Sequence, residues 1–266
     1  MKKCFLKCFL LFALLPLMVI LFSCKGNDAR TEVRQLVKEL NDQCPIHYDY
    51  ITCQSAEIQG DEMVMNYIID ESMLSLKLMQ EQPEIAKKYG GSSLFNVNDE
   101  LGNLLMESGL GLTANYQGSL SGDIVTLKFT NQEIKEIKAH PISNDELLDW
   151  EVMASNSILP KKLDDVTTLI SLTRDGDVVA YTYEVDEDKL DMAVVNDGQS
   201  ELKQTLSAQI ATLNSPTSTA QTFMRLLRRG NKDLHYVYKG NLTGKTVRIE
   251  FTNDELRELA GDYAGE

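Results

Sequence analysis

The chain has 266 residues, and its 26 Lys and Arg against 40 Asp and Glu give a formal net charge of −14. Nucleic acid would demand a basic stripe, and an acidic chain without one excludes that class of partner. The length suffices for one large domain or two of ordinary size, and the acidity reads as a solvated surface.

At the N-terminus, Lys2, Lys3 and Lys7 precede an apolar run from Cys8 to Phe22, the layout of a secretory signal over residues 1–23. A membrane-spanning helix needs about 20 apolar residues, and this run is shorter. Leu21-Phe22-Ser23-Cys24 resembles a bacterial lipobox, with Phe22 where a small residue is more usual. The resemblance implies that Cys24 is lipidated, carries acyl chains such as palmitate and becomes the first mature residue, with residues 24–27 as a short tether. A cleaved signal with Cys24 as an ordinary thiol is the alternative. Lys25 follows the cysteine where Asp would favour the inner membrane of Gram-negative lipoproteins, so the resemblance points to the outer membrane, periplasmic or surface-facing.

Past the tether, several stretches repeat. Asn41, Pro45, Asp49 and Thr52 match Asn156, Pro160, Asp164 and Thr167 in the frame N-x-x-x-P-x-x-[YL]-D-x-[IV]-T. Gly60-Asp61 then matches Gly176-Asp177 as a hairpin turn, and Tyr67, Ile69 and Asp70-Glu71 match Tyr183, Val185 and Asp186-Glu187. The strongest repeat is Tyr116–Ile137 with Tyr238–Leu259. Both fit Y-x-G-x-L-[ST]-G-x-x-V-x-[LI]-x-F-T-N-x-E-[LI]-x-E-[LI] without a gap, at a spacing of 122 residues. Such agreement marks an internal duplication. Val125, Leu127 and Phe129 alternate with polar residues, as do Val247, Ile249 and Phe251, the period of a half-buried strand. Thr130 with Glu133, and Thr252 with Glu255, have capping-box spacing directly after that strand.

Between the repeats the sequence diverges but keeps its character. Leu74–Tyr89 and Leu94–Met106 read as helical, as do Glu201–Leu213 and Ser218–Arg229. Each unit is therefore expected to run helix, strand, strand, two helices, strand, strand, helix. The predicted fold is α+β: two tandem repeats over 28–138 and 139–266, each an antiparallel four-stranded sheet with helices packed on one face. Trp150 is expected either at a seam between the units or in the core of the second, and a groove between repeats would be the default ligand place. The repeated frames resemble small secreted lipoproteins of Gram-negative, Bacteroides-type bacteria that lack an assigned activity. The element order is also loosely similar to that of beta-lactamase inhibitor protein, a likeness of architecture alone.

A search for chemistry finds none. The three histidines, His47, His140 and His235, hold no matching places in the two units and belong to no hydrolase or metalloprotease frame. No metal, cofactor or catalytic residue is expected. His47 lies between Cys44 and Cys53 without a fourth zinc ligand, and the repeated acids sit at strand edges and helix starts where capping explains them. Gly90-Gly91 and Gly109-x-Gly111 open no phosphate loop. Arg225, Arg228, Arg229 and Lys232 read as a solvated basic helix face. Of five cysteines, Cys4 and Cys8 fall in the signal and Cys24 takes lipid, leaving Cys44 and Cys53 as a candidate disulfide. The expected role is a membrane-anchored, non-enzymatic binding or structural module for an envelope protein or glycan. An envelope hydrolase acting on glycans through groove carboxylates, and an inhibitor of a secreted enzyme, are the alternatives.

Overall fold

A computed structural model of the chain describes residues 28–48, 50–92, 94–95, 99–213 and 220–260. The expected signal segment and tether, Cys24 included, and Asp49 lie outside the described residues. Two compact units divide between Ser143 and Asn144. Among the described residues no helix is long and apolar enough to cross a membrane.

The first unit runs α1 (Ala29–Gln43), β1 (Ile46–Tyr48), β2 (Ile51–Gln59), β3 (Glu62–Ile69), α2 (Leu76–Glu81), α3 (Pro83–Ser92), α4 (Asp99–Ser108), β4 (Gly111–Gly118), β5 (Ile124–Phe129) and α5 (Asn131–Ala139). Val33, Leu36, Val37 and Leu40 recur at helical spacing along α1 and are all buried. α1 packs on β2 and α4. Gly60 takes φ +60° in the two-residue turn that joins β2 to β3, where Gln59 faces Glu62. Along β5, Val125, Leu127 and Phe129 are buried while Ile124, Thr126 and Lys128 are exposed, so one face of the sheet meets the helices.

The second unit repeats the order: α6 (Asn144–Asn156), β6 (Lys161–Lys162), β7 (Thr167–Asp175), β8 (Val178–Val185), α7 (Met192–Asp197), α8 (Gln199–Leu213), α9 (Ala220–Arg229), β9 (Asp233–Gly240), β10 (Thr246–Phe251) and α10 (Asn253–Ala260). Its core carries stacked tyrosines across neighbouring strands. Tyr181 lies on Tyr236 at 5.5 Å between ring centroids, and Tyr183 on Tyr238 at 5.1 Å. Trp150 is buried on α6, which packs against α9 and β7 of the same unit.

The α+β fold of two tandem sheet-and-helix units is as the repeats predict, but each sheet differs from the expected four antiparallel strands. Each has five, ordered β1-β2-β3-β4-β5 and β10-β9-β8-β7-β6. The added strands, β1 and β6, are only three and two residues long, too short to show an alternation. More consequentially, β3 pairs parallel with β4, and β8 with β9. The helical segment between them is a crossover that returns the chain to its starting end, and a crossover makes the strands it joins parallel. Among the described residues that segment also holds three α-helices in each unit, not two. Pro83 at the first position of α3 ends α2 in the first unit, because proline cannot donate to a helix already under way.

Both second strands carry a bulge, between Cys53 and Ser55 in β2 and between Leu169 and Ser171 in β7. The repeated asparagines serve it. Asn41 donates to the Ala56 carbonyl at 2.6 Å and accepts its amide at 2.9 Å, and Asn156 does the same for Leu172 at 2.7 and 2.9 Å. Each ties the end of its unit's first helix to the strand just past the bulge. The ladders also refine the alignment of the copies. Thr52 faces Ile68 and Thr168 faces Glu184, so the place of Thr52 belongs to Thr168, and that of Cys53 to Leu169. One extra residue lies before β7.

Candidate interaction site

The frame Y-x-G-x-L-[ST]-G closes into the turn between the last two strands of each unit, and a carboxylate organises it. Glu71 Oε2 accepts the amides of Leu120 at 2.8 Å and Ser121 at 2.6 Å. Glu187 Oε2 accepts those of Leu242 at 2.7 Å and Thr243 at 2.6 Å, and its Oε1 takes the Thr243 hydroxyl at 2.7 Å. Return bonds complete the clamp: Ser119 Oγ accepts the Glu71 amide at 3.4 Å, and Asn241 Oδ1 the Glu187 amide at 3.0 Å. The glycines follow from this. A Cβ at Gly118 would run into the Glu71 carboxylate, and one at Gly240 into that of Glu187. Gly122 and Gly244 hold φ +72° and +67°, which favour a residue without a Cβ. Hydrogen bonds from the turn, first the Ser121 amide for Glu71 and the Thr243 amide for Glu187, hold both carboxyls below their ordinary range.

At the crest of each clamped turn stands the leucine of the frame. Leu120 is 79% exposed and Leu242 66% exposed. An isolated exposed apolar residue needs no explanation. These two are duplicated, raised on turns fixed by buttressing carboxylates, and flanked by polar residues, Ser119 and Ser121 in the first unit and Asn241 and Thr243 in the second. Ile124, at the start of β5 beside the first tip, is exposed as well. The surroundings differ in charge: Asp123 flanks the first tip, Lys239 and Lys245 the second. Chemically, each tip presents an exposed aliphatic side chain on a turn of fixed shape.

The other repeated polar groups hold the fold together. Thr130 and Glu133 form the expected capping box, and the Thr252 amide likewise donates to Glu255 at 2.9 Å. Both acids also meet a lysine that the repeat frame does not show: Lys87 to Glu133 and Lys203 to Glu255, each at 2.6 Å, with the ammonium groups 5.8 and 5.1 Å from the rings of Phe129 and Phe251. These lysines lower both glutamates, chiefly through the hydrogen bond. Asn131 donates to the carbonyls of Leu105 and Leu110, and Asn253 to those of Leu227 and Lys232. Asp164 accepts the amides of Val166 and Thr167. Asp70 and Asp186 each cap their own turn, at Ser72 and Asp188.

The basic cluster is a solvated face only in part, for Arg229 is exposed and Arg225 half-buried. Arg228 and Lys232 are buried, and Lys232 bridges Asp177 at 2.8 Å and Asp145 at 3.5 Å. Arg174 joins the network through Asp145 at 2.8 Å and Asp149 at 2.6 Å. The histidines are scattered: His47 meets Thr52 at 3.1 Å, His140 meets its own helix at the Glu136 carbonyl, and His235 lies in β9. Among the described residues no cluster of His, Cys, Asp and Glu is arranged to hold a metal ion. Cys44 and Cys53 are unbonded thiols whose sulfur atoms lie 4.0 Å apart.

The exposed leucines are what reading the sequence missed. The available signal was an apolar residue kept twice inside a turn whose other positions are small or polar, where turn formation itself asks for no leucine.

No protein-family model matches the chain, and no curated protein matches it. Two solved structures are similar in part. One is the crystal structure of a secreted protein from Pseudomonas aeruginosa, at 14% identity over 43% of this chain and 93% of the other, with a TM-score of 0.35. The other is the pilotin of the Vibrio vulnificus type 2 secretion system, at 14% identity over 40% of this chain and 91% of the other, with a TM-score of 0.32.

Proposed function

We propose that this chain is a lipid-anchored envelope protein that holds a partner protein through its two leucine-tipped turns and carries out no reaction of its own. The observation that carries the reading is the duplicated exposure of Leu120 and Leu242 on carboxylate-clamped turns. A turn held in its bound shape loses little conformational entropy on association, so a single buried leucine goes further there than on a mobile loop. The tips favour protein over glycan. Sugars are met by flat aromatic faces and dense hydrogen bonding, and none of the large exposed apolar side chains among the described residues is aromatic. The resemblance of Leu21–Cys24 to a lipobox supports the anchor. Glu71, Glu133, Asp177, Asp186, Glu187 and Glu255 are each engaged by bonds within the fold that lower their pKa, so none of these six is tuned as a general acid, which needs its pKa raised.

Immobilised chain from Lys25 onward, exposed to a detergent extract of the native envelope, tests the reading. Burying one leucine contributes about 1.5 to 3 kcal/mol, so Leu120→Ser or Leu242→Ser weakens retention about tenfold or more. A partner protein lost from the double variant supports the proposal. Equal retention by the double variant and the unaltered chain refutes it.

A further inference from the structure

The duplication supplies an internal control for one feature that the binding role does not use. In the second unit, the places of Cys44 and Cys53 belong to Leu159 and Leu169. The fold is therefore built at this spot from two ordinary apolar side chains, and nothing in its packing calls for sulfur. The first unit has thiols at both places, and their sulfur atoms face each other at 4.0 Å. Cys44 ends α1, its amide bonded to the Leu40 carbonyl at 2.9 Å. Cys53 lies in β2 beside the bulge, opposite Ile46 of β1 and Tyr67 of β3.

We propose that Cys44 and Cys53 form an oxidisable pair that closes to a disulfide, stapling the end of α1 and the short edge strand β1 to β2. The two thiols are unequal in a way that sets the order of events. Cys44 is half-buried, whereas Cys53 is 0% exposed. An incoming disulfide, RSSR, can be met only at Cys44. The Cys44 thiolate attacks one sulfur of RSSR, giving the mixed disulfide and releasing RS⁻. Cys53 then loses its proton and attacks the Cys44 sulfur, expelling the second RS⁻. Two cysteine thiols are oxidised and one RSSR is reduced to two RSH. Burial, with the neighbouring Cys44 charge and hydrogen bond, pushes the Cys53 thiol up to about 12. Both contributions from Cys44 vanish once that residue is in the mixed disulfide, so the second thiol becomes easier to ionise at the step where it must react.

The experiment uses the full chain purified in detergent and oxidised glutathione as the disulfide. After incubation at about pH 8, near the ordinary thiol pKa, the protein is denatured, alkylated with iodoacetamide and digested with trypsin. Glu39–Lys77 contains both cysteines and no internal Lys or Arg, while the other three lie upstream of Lys25. The expected result is a Glu39–Lys77 peptide that takes up no alkyl group until reduced, and then takes two. In Cys53→Ser, glutathione stays on Cys44; in Cys44→Ser, Cys53 remains unmodified in the folded protein. Reductant lowers the Tm of the oxidised chain by about 5 °C and leaves either variant unchanged. Should Cys53→Ser fail to fold, Cys53→Leu restores the residue that the second unit carries. Two alkyl groups without reduction, or glutathione retained on the unaltered chain, overturns the disulfide. Glutathione on Cys53 in Cys44→Ser overturns the order of attack.

Discussion

Glu187 receives the amide of Leu242 at 2.7 Å as Glu71 receives that of Leu120 at 2.8 Å, one carboxylate-to-turn relationship kept in both copies of the duplication. Both acids lie just after the strand that runs parallel to the one entering the turn. The parallel pairing thus brings Asp-Glu and Gly-x-Leu together from positions 49 and 55 residues apart. Had the sheet been antiparallel throughout, as expected, these groups would have stood at opposite ends.

Titration should release the tips. Both carboxyls have folded pKa values below the ordinary 4.5. The clamp is therefore complete above pH 4.5 and is lost as pH falls through the lower folded values, because protons bind the unfolded chain more readily. Amide resonances of Leu120, Ser121, Leu242 and Thr243 are expected to titrate together below that point. The double variant Glu71→Gln, Glu187→Gln should show these amides less protected at neutral pH, with less further change on acidification. An unaltered acid response in that variant would show that the carboxylates do not hold the turns.

Gly118→Ala and Gly240→Ala attack the same clamp from the strand. The new methyl group occupies the space of the glutamate carboxylate, which must swing out and leave the turn amides to water. Partner retention should fall as it does for the leucine variants, although the leucines remain. Retention unchanged by either alanine would separate binding from the ordering of the turn.

How much of this was legible depended on how far apart the interacting groups stand. Thr130 and Glu133 are three residues apart and announce a capping box; Gly60-Asp61 sits between two alternating runs and announces a hairpin. Lys87 meets Glu133 across 46 residues, and Lys232 meets Asp177 across 55, so neither pair has a local signature. The direction of β4 was hidden for a related reason. It is decided by a crossover of helices, and the alternation of Leu112, Ala114 and Tyr116 is the same for either direction. The leucine tips were written in the repeat frame, but a frame records what is kept and not whether it is buried.

Asn41→Ala and Asn156→Ala should cost more than surface substitutions. Each removes two backbone partners beside a bulge, leaving an amide and a carbonyl of a buried residue to find others. An unpaired buried polar group costs about 1 to 3 kcal/mol. Chemical denaturation should show a loss of that order for each variant. A loss under about 0.5 kcal/mol, the range of ordinary surface changes, would mean that water replaces the asparagine without penalty.

Lys232 makes the last case, because burial and charge act there in opposite senses. Its side chain is 7% exposed, whereas Asp177 and Asp145 are 78% and 53% exposed. Lys232→Met removes the one group that lacks water, and both aspartates can rehydrate. Asp145→Asn with Asp177→Asn leaves the buried ammonium with neutral partners and disturbs Arg174 as well. An uncompensated buried charge is worse than none. The double asparagine variant should therefore be the less stable of the two, with the lower denaturation midpoint at pH 7. Asp177 has its pKa lowered, first by the hydrogen bond from Lys232, so its share of stability is present above the ordinary 3.8 and disappears as pH falls through the lower folded value. Lys232→Met should remove that part of the acid response. If instead Lys232→Met proves the less stable variant, the ammonium stem is needed for packing, and the ion pairs are secondary to it.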